Sequence, residues 1–237
     1  MKRILMLSLV LLIAGAPIFA QPTIKDENVE VKQVSKFSKI SVASGFDVYI
    51  SSGTEESVAV SASRKEYQKN IKVEVKNNTL YISYKPAVEK WTTRNLRLRA
   101  YISYKDLESL QLSGATDARL VDTWKRNNVR IDVSGASDLR GKVEFGEAKI
   151  DLSGASDITL SGTVVKLKVD ASGASEFSGF DLQSDISNVQ ASGASEIKVS
   201  AQKELYAQAS GASHIIYSGD AAVRDVHASG ASKVRKR

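Results

Sequence analysis

The chain has 237 residues, 42% of them hydrophobic, with 33 Lys and Arg against 27 Asp and Glu for a net charge of +6. It contains no cysteine, which excludes disulfides, thiol chemistry and a lipid-modified N-terminal Cys. Two histidines without a cysteine make a dedicated zinc site an unpromising reading, and the charge is too low to argue for nucleic acid.

Residues 1–20 read as a secretory signal. Lys2 and Arg3 form the positive start, Ile4 to Ile13 the apolar core and Ala14 to Ala20 the exit. The apolar run is too short to span a bilayer, so export without a transmembrane segment is expected, to the periplasm or the cell surface. Residues 21–38 are polar with scattered valines and predict a linker or a loosely attached first strand. Residues 39–237 read as a single β-solenoid domain, irregular over 39–105 and regular over 106–237.

In the irregular part, Lys39 to Ser51 alternates strongly and contains Ser44-Gly45-Phe46-Asp47, a degenerate first corner. Glu56 to Ser63 predicts another strand and Arg64 to Asn70 a short helix. Ile71 to Tyr84 predicts a hairpin around Asn77-Asn78, since asparagine tolerates the left-handed turn conformation. A loop with Pro86 and Trp91 follows, then a strand over Leu96 to Ser103. This part is expected to cap the open N-terminal end of the coil. Trp91, Tyr81, Tyr84, Tyr101 and Tyr104 would form the cap's own core, or alternatively a sugar-stacking surface.

From residue 113 the chain repeats itself. Ser113-Gly114-Ala115-Thr116 is followed by Ser-Gly-Ala-Ser beginning at Ser134, Ser153, Ser172, Ser192, Ser210 and Ser229. The glycines Gly114, Gly135, Gly154, Gly173, Gly193, Gly211 and Gly230 are separated by 21, 19, 19, 20, 18 and 19 residues. Apolar residues sit four and two positions before each glycine with a polar residue between, the period of a half-buried strand. Each glycine is assigned to a sharp turn needing a positive φ, and the serines to local hydrogen bonds there. A repeat this short holds no helix pair, and no helical periodicity occurs over 107–237. The fold expected is all-β, a right-handed parallel β-helix with coils of about 19 residues and an irregular β-rich N-terminal cap. Stacked strands would lie about 4.8 Å apart, so seven corners would rise about 29 Å. The inward residues two before the glycine shrink from Leu112 to Ala228, which predicts an interior narrowing toward the C-terminus.

The signal, the early Ser-Gly-Phe-Asp-Val corner and the serial Ser-Gly-Ala-Ser-(Asp/Glu) turns together resemble the bacterial family described as putative auto-transporter adhesin, head GIN domain. The resemblance covers about residues 38–230. It implies a β-helical fold, an envelope or extracellular location and an adhesive role, with no agreed catalytic residues.

Two outward ladders are candidate sites. Asp117, Asp138, Asp157, Glu176 and Glu196 follow the corners, with His214 and Lys233 continuing the row. They could hold a cation such as Ca²⁺ or a cationic ligand, or simply face solvent. Like charges at that spacing repel by only about 0.9 kcal/mol per pair in water, and Arg119, Arg140 and Lys198 face the same way. The second ladder, Gln111, Asp132, Asp151, Asp170, Gln190, Gln208 and His227, precedes the corners. Its carboxylates meet the spacing of glycan-cleaving acids by construction, so the signal for catalysis is weak. Lys233, Arg235, Lys236 and Arg237 guard a terminal edge or meet an anionic partner. The sequence therefore points to an exported, non-catalytic, cofactor-free binding or scaffold protein of the bacterial envelope, its partner a glycan or surface protein. The alternatives are a carbohydrate-active enzyme on the same scaffold and a purely structural envelope protein.

Overall fold

A corner followed by an alternating strand has one apolar face, and such units bury it only by stacking on one another. The computed structural model, which describes residues 26, 28–85 and 96–237, contains that stack. The N-terminal part comprises β1 (Glu30–Lys32), β2 (Lys39–Val42), β3 (Phe46–Ser52), β4 (Ser57–Ala62), α1 (Lys65–Gln68), β5 (Ile71–Lys76), β6 (Thr79–Tyr84) and β7 (Leu98–Tyr104). Two short coil strands follow, β8 (Ser109–Leu112) and β9 (Asp117–Leu120). From there each coil is nearly one long strand. These are β10 (Trp124–Val133), β11 (Asp138–Leu152), β12 (Asp157–Ala171), β13 (Glu176–Ala191) and β14 (Glu196–Ala209). The chain closes with β15 (His214–Ser218), β16 (Ala222–Ala228) and β17 (Lys233–Lys236). The whole is a β-solenoid of about seven turns.

Successive coils pair parallel and in register, so the linear period becomes a spatial column. Ile131 lies beside Ile150, then Val169, Val189 and Ala207. Val133, Leu152, Ala171, Ala191 and Ala209 form the neighbouring inward column. Every one of these side chains is buried. At the last coil the burial stops, and Val223 and Val226 are 45% and 40% exposed.

The irregular part departs from chain order. β2 lies between β6 and β8, and β3 lies between β7 and β9. The coil that comes first in sequence is thus inserted between two later ones. Beyond it the end is closed by antiparallel pairs, β5 on β6, β4 on β7 and β1 on β4. The expected hairpin is present, with Asn77 and Asn78 at φ 49° and 58°. The segment before Lys39 supplies a true strand, β1, and the short helix shrinks to Lys65–Gln68.

One aromatic cluster fills the interior where cap and regular coils meet. Trp124 is fully buried, and its indole N–H donates to the Leu107 carbonyl at 3.1 Å. Phe145 and Tyr104 meet it edge-on, with ring centroids 5.2 and 6.4 Å away. Tyr104 is therefore core, as expected of the cap's tyrosines, whereas Tyr81 is 40% exposed. Trp91, its loop and the expected signal fall outside the described residues.

Candidate functional site

The corners fix everything that projects from the coil. The seven glycines have φ between 73° and 83°, and each lies over the one before. In this column the alanine N–H after each glycine donates to the preceding glycine's carbonyl, at 2.7 Å for Ala136, Ala155, Ala174, Ala194 and Ala212. A Cβ added to Gly154 would stand 2.4 Å from the Gly135 oxygen, so the column excludes side chains. The last residue of each motif from Thr116 to Ser213 is buried, and the serines among them brace the turn. The Ser195 hydroxyl lies 2.8 Å from the Ser192 carbonyl and 3.2 Å from Ala171 in the preceding coil. Ser213 repeats the pattern with Ser210 and Ala191 at 2.8 and 3.0 Å. At the degenerate corner, Ser44 rather than Gly45 sits under Gly114, and both have positive φ.

After the corner the acidic ladder is continuous. Asp117, Asp138, Asp157, Glu176 and Glu196 are register neighbours, followed by His214 and Lys233, with Asp47 added beneath Asp117. Its charge is offset from within. Lys198 stands 2.6 Å from Glu176 and 2.9 Å from Glu196, and Arg140 is 3.6 Å from Asp138. The Asp157 carboxyl is raised above its ordinary value, by partial burial first and then by Asp138 and Glu176 on either side. Among the described residues no three His, Asp or Glu side chains converge as a metal set. A lysine ammonium already stands where a cation would bridge Glu176 and Glu196.

Before the corner lies a groove. Its lining joins the second ladder, Gln111, Asp132, Asp151, Asp170, Gln190, Gln208 and His227, to the first serines of the motifs, Ser134, Ser153, Ser172, Ser192, Ser210 and Ser229. The two rows flank the inward column, because positions three and one before the glycine point outward together. The groove holds about 770 Å³. Its first half is ionic. Arg130 reaches Asp132 at 2.7 and 2.9 Å and Asp151 at 2.6 Å, while Lys149 and Lys168 stand 3.6 and 3.4 Å from Asp151 and Asp170. The second half is amide, with Gln190 beside Gln208 and His227 above them. At the junction, the buried Oδ1 of Asp170 has no hydrogen-bond partner among the described residues.

A second polar cluster latches the N-terminal segment. Asp26, 9% exposed, receives hydrogen bonds from Ser61, from Arg99 at 3.1 Å and from the Asn28 N–H at 3.3 Å. Burial raises this carboxyl, but the donors outweigh it and hold it below its ordinary value. Tyr101 stacks on Tyr49 with centroids 5.4 Å apart, and burial first, then the Asp26 charge, push its hydroxyl up to about 12. At the other end, β17 is an edge strand bearing Lys233 and Arg235, and Arg237 lies 4.9 Å over the Phe180 ring. No helix among the described residues is long and apolar enough to cross a membrane.

Solved structures share this arrangement. A putative adhesin from Bacteroides fragilis superimposes with a TM-score of 0.82 at 17% identity, over 88% of this chain and 96% of that one. A putative adhesin from Parabacteroides merdae gives 0.71 at 15%, over 90% and 97%. A putative lipid binding protein from Parabacteroides distasonis gives 0.64 at 19%, over 90% and 98%. No curated protein matches the chain. At such identities these likenesses establish the fold. The sequence itself matches a family over residues 36–221, and the chain belongs to that family, described as putative auto-transporter adhesin, head GIN domain.

Proposed function

We propose that the protein is an exported, non-catalytic binding module of the bacterial envelope, adhesin-like, that presents its long regular side to a glycan or a surface protein. Residues 1–20 would direct export and be removed, leaving 21–38 as the attached segment that carries β1 and 39–237 as one working domain. The observation that carries this reading is the uniform column of side chains, coil after coil, with no inserted loop between the corners from Gly114 to Gly230. Enzymes on repeat scaffolds usually break the pattern with long loops around the active site. A glycan-cleaving pair also needs one carboxyl held protonated. In the groove, Asp132 and Asp151 are instead both hydrogen-bonded to the Arg130 guanidinium.

One solved neighbour is named a lipid binding protein. The groove here sets carboxylates, amides and hydroxyls on both sides of a narrow, nearly covered apolar floor of Val133, Leu152, Ala171, Ala191 and Ala209, a poor match for acyl chains. The test is a screen of the chain from Gln21 onward against glycans and surface proteins, with reducing ends measured in parallel. Retention without release of reducing sugar is expected. Sugar release abolished by Asp170→Asn would replace the binding module with an enzyme.

A further inference from the structure

We infer that the groove before the corners is a carbohydrate subsite that takes a neutral, hydroxyl-rich polysaccharide laid along the stack axis, anchored at Asp170, Gln190 and Gln208. The inference rests on the binding role proposed above and gives it a place and a ligand class.

Geometry sets the shape of the ligand. The same position of each coil contributes one polar group, so the groove repeats about every 4.8 Å over about 29 Å. An extended peptide advances about 3.3 Å per residue and alternates its sides, so it falls out of step with such a row. An extended chain of hexoses advances by a length close to the coil spacing per sugar, and each ring carries hydroxyls on both edges, so every coil can meet one whichever way the ring faces. Strand addition is closed as well. The backbone groups beneath the groove already pair with the coils on either side, as Ser192 does with Ala171 and Ser210 with Ala191.

Chemistry sets its class. Gln190 and Gln208 are exposed amides that both donate and accept, which suits hydroxyls that do the same. The only ring in the lining is the His227 imidazole, and the apolar floor of Val133, Leu152, Ala171, Ala191 and Ala209 is narrow, each residue no more than 4% exposed, too little for an acyl chain. A polyanion would find its cation engaged, since Arg130 is held by Asp132 and Asp151. A polycation would find acids already matched by Arg130, Lys149 and Lys168. What is missing is a donor at Asp170, whose Oδ1 is unpartnered at the junction with the amide half. In the groove a sugar hydroxyl would donate to the other oxygen, Oδ2, which Lys168 approaches only to 3.4 Å.

The test is affinity electrophoresis of the full chain through gels carrying a neutral glucan, mannan or galactan, a polyuronate, or chitosan. Variants are Gln190→Ala with Gln208→Ala and, separately, Asp170→Asn. Asp138→Asn with Asp157→Asn on the other ladder is the control, and circular dichroism confirms that each variant folds. A neutral polysaccharide should retard the wild type and the control. The double glutamine variant should bind at least about tenfold more weakly, the loss expected for two hydrogen bonds. Asp170→Asn should weaken binding severalfold. Retardation that survives in the groove variants overturns the site while leaving a binding role intact. Retardation by polyuronate or chitosan alone overturns the ligand class. If no polysaccharide retards the chain but a surface protein binds it, the inference fails and the binding module stands. Absence of any binding removes both.

Discussion

The glycine column lends itself to a quantitative test, because the chain contains its own control. Gly154 has φ 79°, and a Cβ there would stand 2.4 Å from the Gly135 oxygen and 3.0 Å from its nitrogen. Gly154→Ala therefore carries two costs. The left-handed conformation disfavours an L side chain by about 1–2 kcal/mol. The forced separation of two backbone segments adds about 1–3 kcal/mol, as overpacking does, and strains the 2.7 Å bond from Ala155 to Gly135. The sum is about 2–5 kcal/mol, a large part of the stability of an ordinary domain. Gly45 has nearly the same φ, 77°, yet the nearest atom to an added Cβ among the described residues is 3.8 Å away. Gly45→Ala should show the conformational cost alone, about 1 kcal/mol. Urea denaturation followed by circular dichroism, read as midpoints at matched slope, measures both. Equal losses at the two positions would refute the stacking argument and reduce the motif to independent turns.

Three further outcomes follow from the same contacts. Ser213→Ala removes a buried hydroxyl held between two carbonyls and should cost about 1 kcal/mol, whereas Ser210→Ala, on an exposed side chain, should stay within about 0.5 kcal/mol in the same assay. Asp157 is raised in the folded state, so the native protein binds protons more readily than the unfolded chain and stability falls as pH rises through that window. Asp157→Asn should stabilise at neutral pH by a few tenths of a kcal/mol, less in high salt, and the advantage should vanish below the ordinary aspartate range. Asp26 is lowered, so its contribution is present above the ordinary aspartate range and is lost as pH falls through the folded value. Protection of the β1 amides against hydrogen exchange, taken relative to the intrinsic rate at each pH, should fall in acid, and Asp26→Ala should reproduce that loss at pH 7 at a cost of about 1–3 kcal/mol.

The regular half was legible because each copy writes its own geometry locally. A positive φ calls for glycine and a half-buried strand calls for alternation, so seven copies of both specify corners, register and facing. The ion pairs of the acidic ladder were legible for the same reason, since Lys198 lies two residues after Glu196 and faces the same way. The irregular half was less so. Nothing in Lys39–Val42 states that it pairs with both β6 and β8, because that choice depends on which edges remain open after the hairpin forms. The Asp26 latch joins residues 35 and 73 positions apart, and no periodicity reports such a contact. Ser44 occupying the glycine position escaped detection because Gly45, one residue later, offered a more conventional match. The groove stayed hidden although its ladder was visible. In sequence the ladder suggests paired acids, while the signals for a trough lie beside it. These were the small serines of the facing row and Arg130, placed two residues before Asp132 and facing the same way.

A repeat of this kind couples recognition to stability more tightly than a site built on loops. Each coil contributes one serine and one longer polar side chain to the groove, and both are aimed by the glycine corner that also carries the inter-coil hydrogen bond. The polar position varies among Gln, Asp and His from Gln111 to His227, while the corner beside it stays almost unchanged. That asymmetry is what the physics requires. A backbone column tolerates no added Cβ, whereas an outward side chain flanking the trough changes chemistry without moving its neighbours. The outward row therefore changes chemistry coil by coil, ionic from Asp132 to Asp170 and amide from Gln190 to Gln208, on a scaffold whose geometry stays constant.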